Sequence, residues 1–312
     1  MRHRVLALLT TVLVVTGPAR ADFPERPVQF VVPFPAGGTL DIVARKFAEA
    51  FGEAVGQSVV VMNRDGASGV IGTQVVANAS PDGYTLAFDA NGPLTVQPSL
   101  HKTAYDVASF RPVCQVFSYS YALAVPEDSA MRSLKDFVAK AKDGTIKYAF
   151  GGVGTAPQFA ALQLSQAAGI KLLGVPYRGD PPAAVSLKSG DVDAAVLTAE
   201  VARQLNFKIL AVFSDRRLSV LPNAPTAREQ GFDVIASTTA GLLAPAKIGG
   251  DVAKKLGIAC ERAVKKPKFV AGMKQLEQQI TYLPGDRFAA ALAADTEAKR
   301  RLIQTSGIKQ EK

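Results

Sequence analysis

The chain has 312 residues, of which 48% are hydrophobic and 20% are charged, so its composition is that of a folded globular protein and excludes a disordered one. Glycine and proline, at 26 and 19 residues, are too few for a collagen-like or low-complexity chain. Because one hydrophobic core rarely serves ~300 residues, about two domains are expected.

The first 21 residues have the three-part pattern of a secretory signal peptide. Arg2 and Arg4 form a basic start, which a 12-residue apolar run follows at 5–16, and residues 19–21 (ARA) match a cleavage site. The run is shorter than the ~20 residues that span a bilayer, and Asp22 stands where a lipoprotein has cysteine. We therefore expect an exported, soluble mature protein.

The charge of the mature chain indicates small anions rather than nucleic acid as partners. Cleavage removes three of the 36 basic residues and leaves 33 against 27 acidic ones, a net charge of +6. The basic side chains are scattered and not interleaved with aromatic ones, which argues against nucleic-acid binding. A positive field that attracts small anions is the better interpretation.

Two cysteines, Cys114 and Cys260, lie 146 residues apart in a compartment that permits disulfides. Their separation in sequence does not determine whether they meet in the fold. Two buried thiols are the default expectation, and a disulfide is the alternative.

The first half of the mature chain alternates apolar and amphipathic segments. Strands are predicted at Val28–Val32, Val59–Met62 and Tyr84–Phe88. Helices are predicted over Leu40 to Phe51 and over Gly69 to Asn78, the second with Val70, Ile71 and Val75 inward. Strands that alternate with helices predict a parallel, doubly wound sheet.

The second half repeats this pattern and predicts a second α/β lobe. Its predicted strands are Lys147–Phe150, Leu172–Tyr177, Val192–Leu197 and Ile209–Phe213, with a helix over Ala156 to Ala168. Residues 113–125 and 236–244 are expected to connect the lobes. The remainder is expected to be helical, at 251–265, 269–278 and 286–304, and to pack on lobe 1. We expect lobe 1 to comprise residues 22–119 and 240–312, and lobe 2 residues 120–239.

The residues that enzyme chemistry requires are few. His101 is the only histidine beyond the leader, so a zinc site is not expected, and residues 66–69 (GASG) lack the spacing of a nucleophile elbow. No Walker A or dinucleotide-binding motif is present. The enzymatic alternative, a secreted hydrolase or isomerase using Asp41, Asp89 or His101, lacks an identifiable acid–base pair. We therefore expect no catalytic residues, no metal and no cofactor.

Two glycine loops, Pro35–Thr39 and Gly151–Thr155, each lead into a predicted helix. A helix N-terminus offers unpaired N–H groups and the positive end of the helix dipole, so it can hold a carboxylate or phosphate. Thr39, Thr155 and Ser68 could add hydroxyl donors. The alternative is that both loops are only tight turns and that Asp41 complements the dipole. Because a cleft between α/β lobes would bring both loops to one ligand, we favour anion binding.

Several motifs, in this order along the chain, resemble the Bug, or tripartite tricarboxylate transporter receptor, family. The resemblance runs from about Phe23 to the C-terminus, and the order of the motifs carries it more than any one of them. The motifs are VVPFPAGG (31–38), DIVAR (41–45), SPDGYTL (80–86), GT-x-P (154–157), VPYRG (175–179), LP-x-APT (221–226) and GLLAP (241–245).

The resemblance implies an α/β fold of the two-lobed periplasmic binding protein type (type II-like), in which mostly parallel sheets flanked by helices close over a small carboxylated ligand. It implies that the loops at 34–39 and 152–155 hold carboxylate groups through backbone N–H groups and ordered water. The predicted ligand-binding residues are Phe34, Ala36, Gly37, Gly38, Thr39, Asp41, Asn91, Gly152, Gly154, Thr155, Gln158, Tyr177 and Thr198, with Glu200 as a further candidate for the cleft wall.

The chain departs from the family pattern at positions that bear on the ligand. The family commonly has a third glycine at Thr39, a histidine at Gln158 and an acidic residue at Leu197. Loss of that acid removes an anchor for an ammonium group, so a plain organic acid is expected rather than an amino acid.

The resemblance also implies the partners: a small carboxylate and the two integral membrane subunits of a tripartite transporter. We expect a monomer. The alternative within the same fold is an orphan receptor that signals to a membrane sensor kinase.

Overall fold

A computed structural model describes residues 23–218 and 220–306. The predicted signal peptide, residues 1–21, lies outside the described residues. Within the described part, no helix has the length and apolarity needed to cross a membrane.

The first part of the chain forms β1 (Val28–Val32), α1 (Thr39–Val55), β2 (Val59–Asn63), α2 (Val70–Ala77), β3 (Thr85–Ala90) and the short helices α3 (Asn91–Thr95) and α4 (Gln97–Leu100). Strand β1 pairs in parallel with both β2 and β3, which confirms the predicted strand–helix alternation. Helix α1 buries Leu40, Val43, Phe47 and Phe51, as their spacing predicts, and it ends at Gly56 in the left-handed conformation that glycine permits.

The predicted inward face of α2 is wrong at Ile71 and Val75, although Val70 does pack against the core. Ile71 and Val75 are 52% and 41% exposed, whereas Gly72, Thr73 and Val76 are buried. A Cβ on Gly72 would lie 2.5 Å from the Arg64 carbonyl oxygen, so only glycine allows this close approach to the neighbouring backbone. The helix therefore packs against its neighbours through the face that contains Gly72, and the larger side chains of Ile71 and Val75 are exposed to solvent.

The long strand β4 (Phe110–Val125) joins the two halves of the fold, and α5 (Leu134–Asp143), β5 (Ile146–Phe150), α6 (Ala156–Ala168) and β6 (Leu172–Pro176) follow it. The chain continues through α7 (Asp180–Ser189), β7 (Ala194–Thr198), α8 (Ala199–Gln204), β8 (Lys208–Val212) and β9 (Ser237–Pro245). It ends with α9 (Gly250–Val264), α10 (Pro267–Gln275), β10 (Gln279–Pro284) and α11 (Gly285–Ser306).

The described strands form a ten-stranded mixed sheet in the order β2-β1-β3-β9-β4-β7-β5-β6, with β8 and β10 also paired to β4. Residues 110–120 of β4 pair antiparallel with β9, and residues 121–124 pair antiparallel with β7. We retain the predicted boundaries at residues 119/120 and 239/240 as a proposal, and we use lobe 1 and lobe 2 in that sense.

Separate apolar clusters lie on the two sides of this division. Lobe 1 contains a chain of aromatic contacts in which Phe47 packs against Phe30, Phe88 and Phe269. Lobe 2 has its own cluster, which includes Phe137, Phe150 and Phe213. Each side of the division therefore has a large apolar cluster of its own, and a smaller one that contains Leu100 and Phe159 joins the two sides.

Two expectations about the C-terminal part are wrong. Residues 279–284, between two of the predicted helices, form β10, which pairs antiparallel with β4. The default expectation of two thiols is also wrong, because Cys114 of β4 and Cys260 of α9 form a disulfide with their Cα atoms 6.6 Å apart. Helix α9 lies across β4 in the lobe 1 core, which brings together cysteines that are distant in sequence.

Candidate interlobe ligand site

A cleft of about 330 Å³ lies between the lobes. Lobe 1 contributes the loop before α1, the start of α3 and residues between α10 and β10. Lobe 2 contributes the loop before α6 and the starts of α7 and α8. Several helices thus begin at the wall of this cleft, so backbone N–H groups and positive dipole ends are aimed at its contents.

The first glycine loop presents the N-terminus of α1 to the cleft. Gly38 is the N-cap and has no side chain to cap the first N–H groups of α1. Gly37 adopts a φ of +82°, which a residue with a side chain rarely tolerates. Gly38 and Thr39 both line the cleft, as predicted for an anion-binding loop.

Asp41 shapes this loop from outside the cleft. Its Oδ2 accepts hydrogen bonds from the Gly37 N–H at 2.9 Å and from Arg45 Nε at 3.1 Å, and its Oδ1 accepts one from Asn63 Nδ2 at 2.9 Å. Burial alone would raise the pKa of Asp41, but these hydrogen bonds and the Arg45 charge bring it below its ordinary value. The carboxylate therefore stays ionised and fixes the loop.

The second glycine loop presents the N-terminus of α6. The Thr155 hydroxyl donates to the Gly152 carbonyl at 2.6 Å, and Gln158 Oε1 accepts from the Gly154 N–H at 2.7 Å. Gly152 and Gly154 have φ angles of +128° and +72°. These bonds shape the turn, and Ala156, the first residue of α6, lines the cleft.

The structure brings most of the predicted ligand-binding residues to the cleft, but not all of them. Those that line it are Phe34, Ala36, Gly37, Gly38, Thr39, Asn91, Thr155 and Thr198. Those that lie outside its lining are Asp41, Gly152, Gly154, Gln158 and Tyr177. All of these except Tyr177 belong to or bond to the two glycine loops. Tyr177 does not line the cleft, but its neighbour Arg178 does.

Asn91 is held in place from behind by helix α11. Its Nδ2 donates to Asp295 Oδ2 at 2.7 Å, and the Thr95 hydroxyl donates to the same oxygen at 2.6 Å. Asn91 lies at the carboxyl end of β3 and lines the cleft. The bond to Asp295 uses one of the two Nδ2 hydrogens and fixes the orientation of the Asn91 amide at the cleft wall.

Sequence reasoning missed several lining residues because they come from separate segments. Tyr119 and Tyr121 reach the cleft from β4, Gln97 from α4, Gln278 from the turn before β10 and Lys299 from α11. Asp180 also lines the cleft, and of these missed residues it alone had a usable local signal, because it directly follows the VPYRG motif at the start of α7. The others depend on how β4 and the C-terminal segment fold back on lobe 1.

Two acidic side chains lie in the part of the wall formed by α7 and α8. Asp180 Oδ2 accepts a hydrogen bond from the Thr198 N–H at 2.9 Å, and burial raises the pKa of Asp180. Burial is also the main cause that raises the pKa of Glu200 to about 7, and the charges of Asp180 and Glu277 add to it. A cation at this wall would stabilise both carboxylates.

The lobes touch each other around the cleft. Gln97 Nε2 of lobe 1 donates to the Val153 carbonyl of lobe 2 at 3.0 Å, and Arg203 of lobe 2 forms an ion pair with Glu277 of lobe 1. Lys299 lies 5.4 Å from the centre of the Phe159 ring, also across the division. These three contacts join the two sides of the proposed division.

The residues considered for an enzyme do not line the cleft. Asp41, Asp89 and His101 all lie outside the cleft lining, and Asp89 is fully buried. Within the described ranges, no cluster of three or more histidine, cysteine, aspartate or glutamate side chains could hold a metal ion.

Comparison with known proteins places this arrangement in context. The family model of the tripartite tricarboxylate transporter family receptor (TctC) matches residues 43–308. A protein of Pseudomonas sp. strain P51, named UPF0065 protein in the tcbD-tcbE intergenic region, is 33% identical over 97% of this chain and 94% of its own. Protein BugT of Bordetella pertussis is 33% identical over 78% of each chain.

Solved structures agree with this match. The periplasmic binding protein BugD superposes with a TM-score of 0.85 and 31% identity, covering 93% of this chain and all of BugD. MatC from Rhodopseudomonas palustris, solved with bound malate, superposes with a TM-score of 0.82 and 28% identity, covering 90% of this chain and all of MatC.

Proposed function

Because this chain belongs to the tripartite tricarboxylate transporter receptor (TctC/Bug) family of periplasmic solute-binding proteins, we propose that it captures a small carboxylated solute in the interlobe cleft. The N-termini of α1 and α6 hold the carboxylate groups, and the loaded protein delivers the solute to the two integral membrane subunits of a tripartite transporter. Residues 1–21 direct the export that this function requires.

The observation that carries the proposal is the convergence of two helix N-termini from different lobes on one cleft. Each lobe alone offers a weak anion site, because a single helix end is worth about 0.3–1 kcal/mol when exposed. Together they surround an anion with backbone donors and remove it from water. In this less polar environment each hydrogen bond to the anion is stronger than it would be in water. MatC, whose structure contains malate, has the same fold at 28% identity, which supports a carboxylate as the ligand class.

Closure follows from the same arrangement. A ligand that bonds to Gly38 and Thr39 of lobe 1 and to Thr155 and Ala156 of lobe 2 makes all of its contacts only when the lobes are together. Its differential affinity for the closed state shifts the population toward that state. The membrane subunits then distinguish loaded from empty receptor by its shape.

The test is a thermal-shift screen of the mature protein against mono-, di- and tricarboxylates and their amides, after unfolding and refolding to remove any carried ligand. A ligand present at one hundred times its Kd stabilises the native state by about 2.7 kcal/mol, a shift that such a screen detects. We expect stabilisation by carboxylates and none by the amides. A response to amides as strong as the response to acids would contradict the proposal.

Gly38→Asp places a carboxylate where the ligand carboxylate should lie. The new Cβ would meet only the Pro35 carbonyl oxygen, at 3.5 Å, and aspartate is a favoured N-cap, so the fold should tolerate the change. We expect carboxylate affinity to fall by about tenfold or more, a cost of about 1.4 kcal/mol or more. The matched control is Gly249→Asp at the exposed N-cap of α9, which should leave binding unchanged.

A further inference from the structure

The second glycine loop, which belongs to lobe 2, packs against the short helix α4 of lobe 1. A Cβ on Gly154 of this loop would lie 2.4 Å from Leu100 Cδ1 and 2.7 Å from Gln97 Nε2. Leu100 and Gln97 are both buried, so their side chains have little space to move away. The backbone of the loop therefore lies so close to lobe 1 that a side chain at residue 154 would collide with α4.

The same loop approaches lobe 1 at the two residues before Gly154. Gln97 Nε2 donates to the Val153 carbonyl at 3.0 Å, and a Cβ on Gly152 would lie 3.0 Å from Ser68 Oγ. Three consecutive residues of the loop thus lie against lobe 1. At two of them the absence of a side chain allows the close approach.

An apolar cluster extends this contact from the loop to helix α6. Val96 and Leu100 pack with Phe159 of α6 and Ile303 of α11, and each of the four side chains is no more than 2% exposed. Phe159 lies in the first turn of α6, whose N-terminus is one of the two proposed anion sites. Separation of the lobes would bring these side chains into water, so the hydrophobic effect favours the contact.

We propose that Leu100 is a positioning residue for solute binding, because from lobe 1 it holds the glycine loop of lobe 2 in the shape that binds a carboxylate. This inference rests on the proposed function. Leu100 lies outside the cleft lining, so it acts on the solute only through the loop. Since the contact exists only while the lobes are together, the anion site of α6 is complete only then, and closure and binding strengthen each other.

The experiment is a double-mutant cycle of Gly154→Ala and Leu100→Ala. Its readout is the Kd of the stripped mature protein, by isothermal titration, for whichever of succinate, malate, adipate and citrate binds the wild type most tightly. Gly154→Ala should lower the affinity by about tenfold, because the new methyl group collides with Leu100 and disfavours the closed population. Leu100→Ala alone should lower it by about threefold, because the contact is lost.

The double variant distinguishes a contact between the lobes from a local effect on the loop. Leu100→Ala makes room for the methyl group, so the double variant should bind more tightly than Gly154→Ala alone. Backbone strain at residue 154 would persist in the double variant and would not be relieved. Leu100→Val, which also removes Cδ1, takes the place of Leu100→Ala in the cycle if the larger truncation prevents folding.

Gly169→Ala is the matched control for backbone strain. Gly169 ends α6 with a φ of +64°, close to the +72° of Gly154, and a Cβ there would meet nothing within 4 Å. This variant should lower the melting temperature and leave the affinity unchanged.

The inference is wrong if Gly154→Ala binds like the wild type, or if the losses of the two single variants simply multiply in the double variant. In both cases the wild type still binds its acid and the proposed function stands. If none of the four acids binds the wild type, the proposed function itself fails and the inference falls with it.

Discussion

At the scale of single residues, Asp89 shows how burial changes chemistry without creating a ligand site. Burial raises the pKa of Asp89 to about 7, although hydrogen bonds from Thr73 and Ala90 act in the opposite direction. The Thr73 hydroxyl lies 2.9 Å from the Gly69 carbonyl oxygen and 2.7 Å from Asp89 Oδ2, yet it has one hydrogen to donate. A proton on Asp89 satisfies both oxygens, since the carboxyl then donates to Thr73 and Thr73 donates to Gly69.

Asp89→Asn should therefore be tolerated and should alter the pH dependence of stability. Because the folded-state pKa lies above the unfolded value, the stabilising contribution of Asp89 is full below about pH 4 and is lost as the pH rises through about 7. Thermal unfolding at pH 5 and pH 8 should show a smaller loss of stability between these values for Asp89→Asn than for the wild type. The exposed Asp128→Asn is the control, and equal losses in all three proteins would refute an Asp89 that holds a proton.

At the scale of elements, the disulfide joins the strand shared by both lobes to a helix of lobe 1. Cys114 and Cys260 are fully buried, and the bridge closes a long loop of chain. Replacing both cysteines with alanine should lower the unfolding free energy by about 2–4 kcal/mol, measured by denaturant titration. Wild-type protein with the disulfide reduced should match the double variant. An unchanged midpoint would show that the bridge contributes nothing to stability.

Some helices and strands of this fold can be predicted from the sequence, and others cannot. Helix α1 and strand β1 follow directly from the spacing of their apolar residues, and both glycine loops stand where the motifs indicate. Strand β10 was missed because no glycine or proline separates residues 279–284 from the preceding helix, although Ile280, Thr281 and Tyr282 favour a strand. The exposed face of α2 was missed because a close backbone approach at Gly72, which periodicity does not reveal, decides which face is buried.

Site prediction fails in the same way. The lining residues of the two glycine loops were predicted correctly, because the residues of each loop are adjacent in the sequence. Gln278 and Lys299 come from the C-terminal segment, and only the pairing of β10 with β4 and the packing of α11 bring them to the cleft. Distinguishing Asp41, which shapes a loop, from a ligand contact requires its hydrogen-bond partners, which the sequence does not provide.

At the scale of the whole molecule, the ion pair between Arg203 and Glu277 joins the lobes outside the cleft lining. Glu277→Gln should weaken this contact, shift the ligand-free protein toward open forms and lower ligand affinity several-fold through the smaller closed population. Small-angle scattering without ligand should show a larger radius of gyration for the variant, and saturation with ligand should remove the difference.

The matched control for closure is Glu229→Gln, which breaks an exposed ion pair with Arg217 inside lobe 2. It should change neither the radius of gyration nor the affinity. If both variants behave like the wild type, this ion pair does not contribute to closure.

The central claim is that two helix N-termini from opposite lobes hold the carboxylate groups of one ligand. Amide NMR titration of the stripped, nitrogen-15-labelled protein with the tightest-binding acid of the panel tests it most directly. We expect the largest shifts at the backbone N–H groups of Gly38, Thr39, Thr155 and Ala156, with both loops saturating at the same Kd. Shifts confined to one loop, or saturation of the two loops at different ligand concentrations, would contradict a shared site.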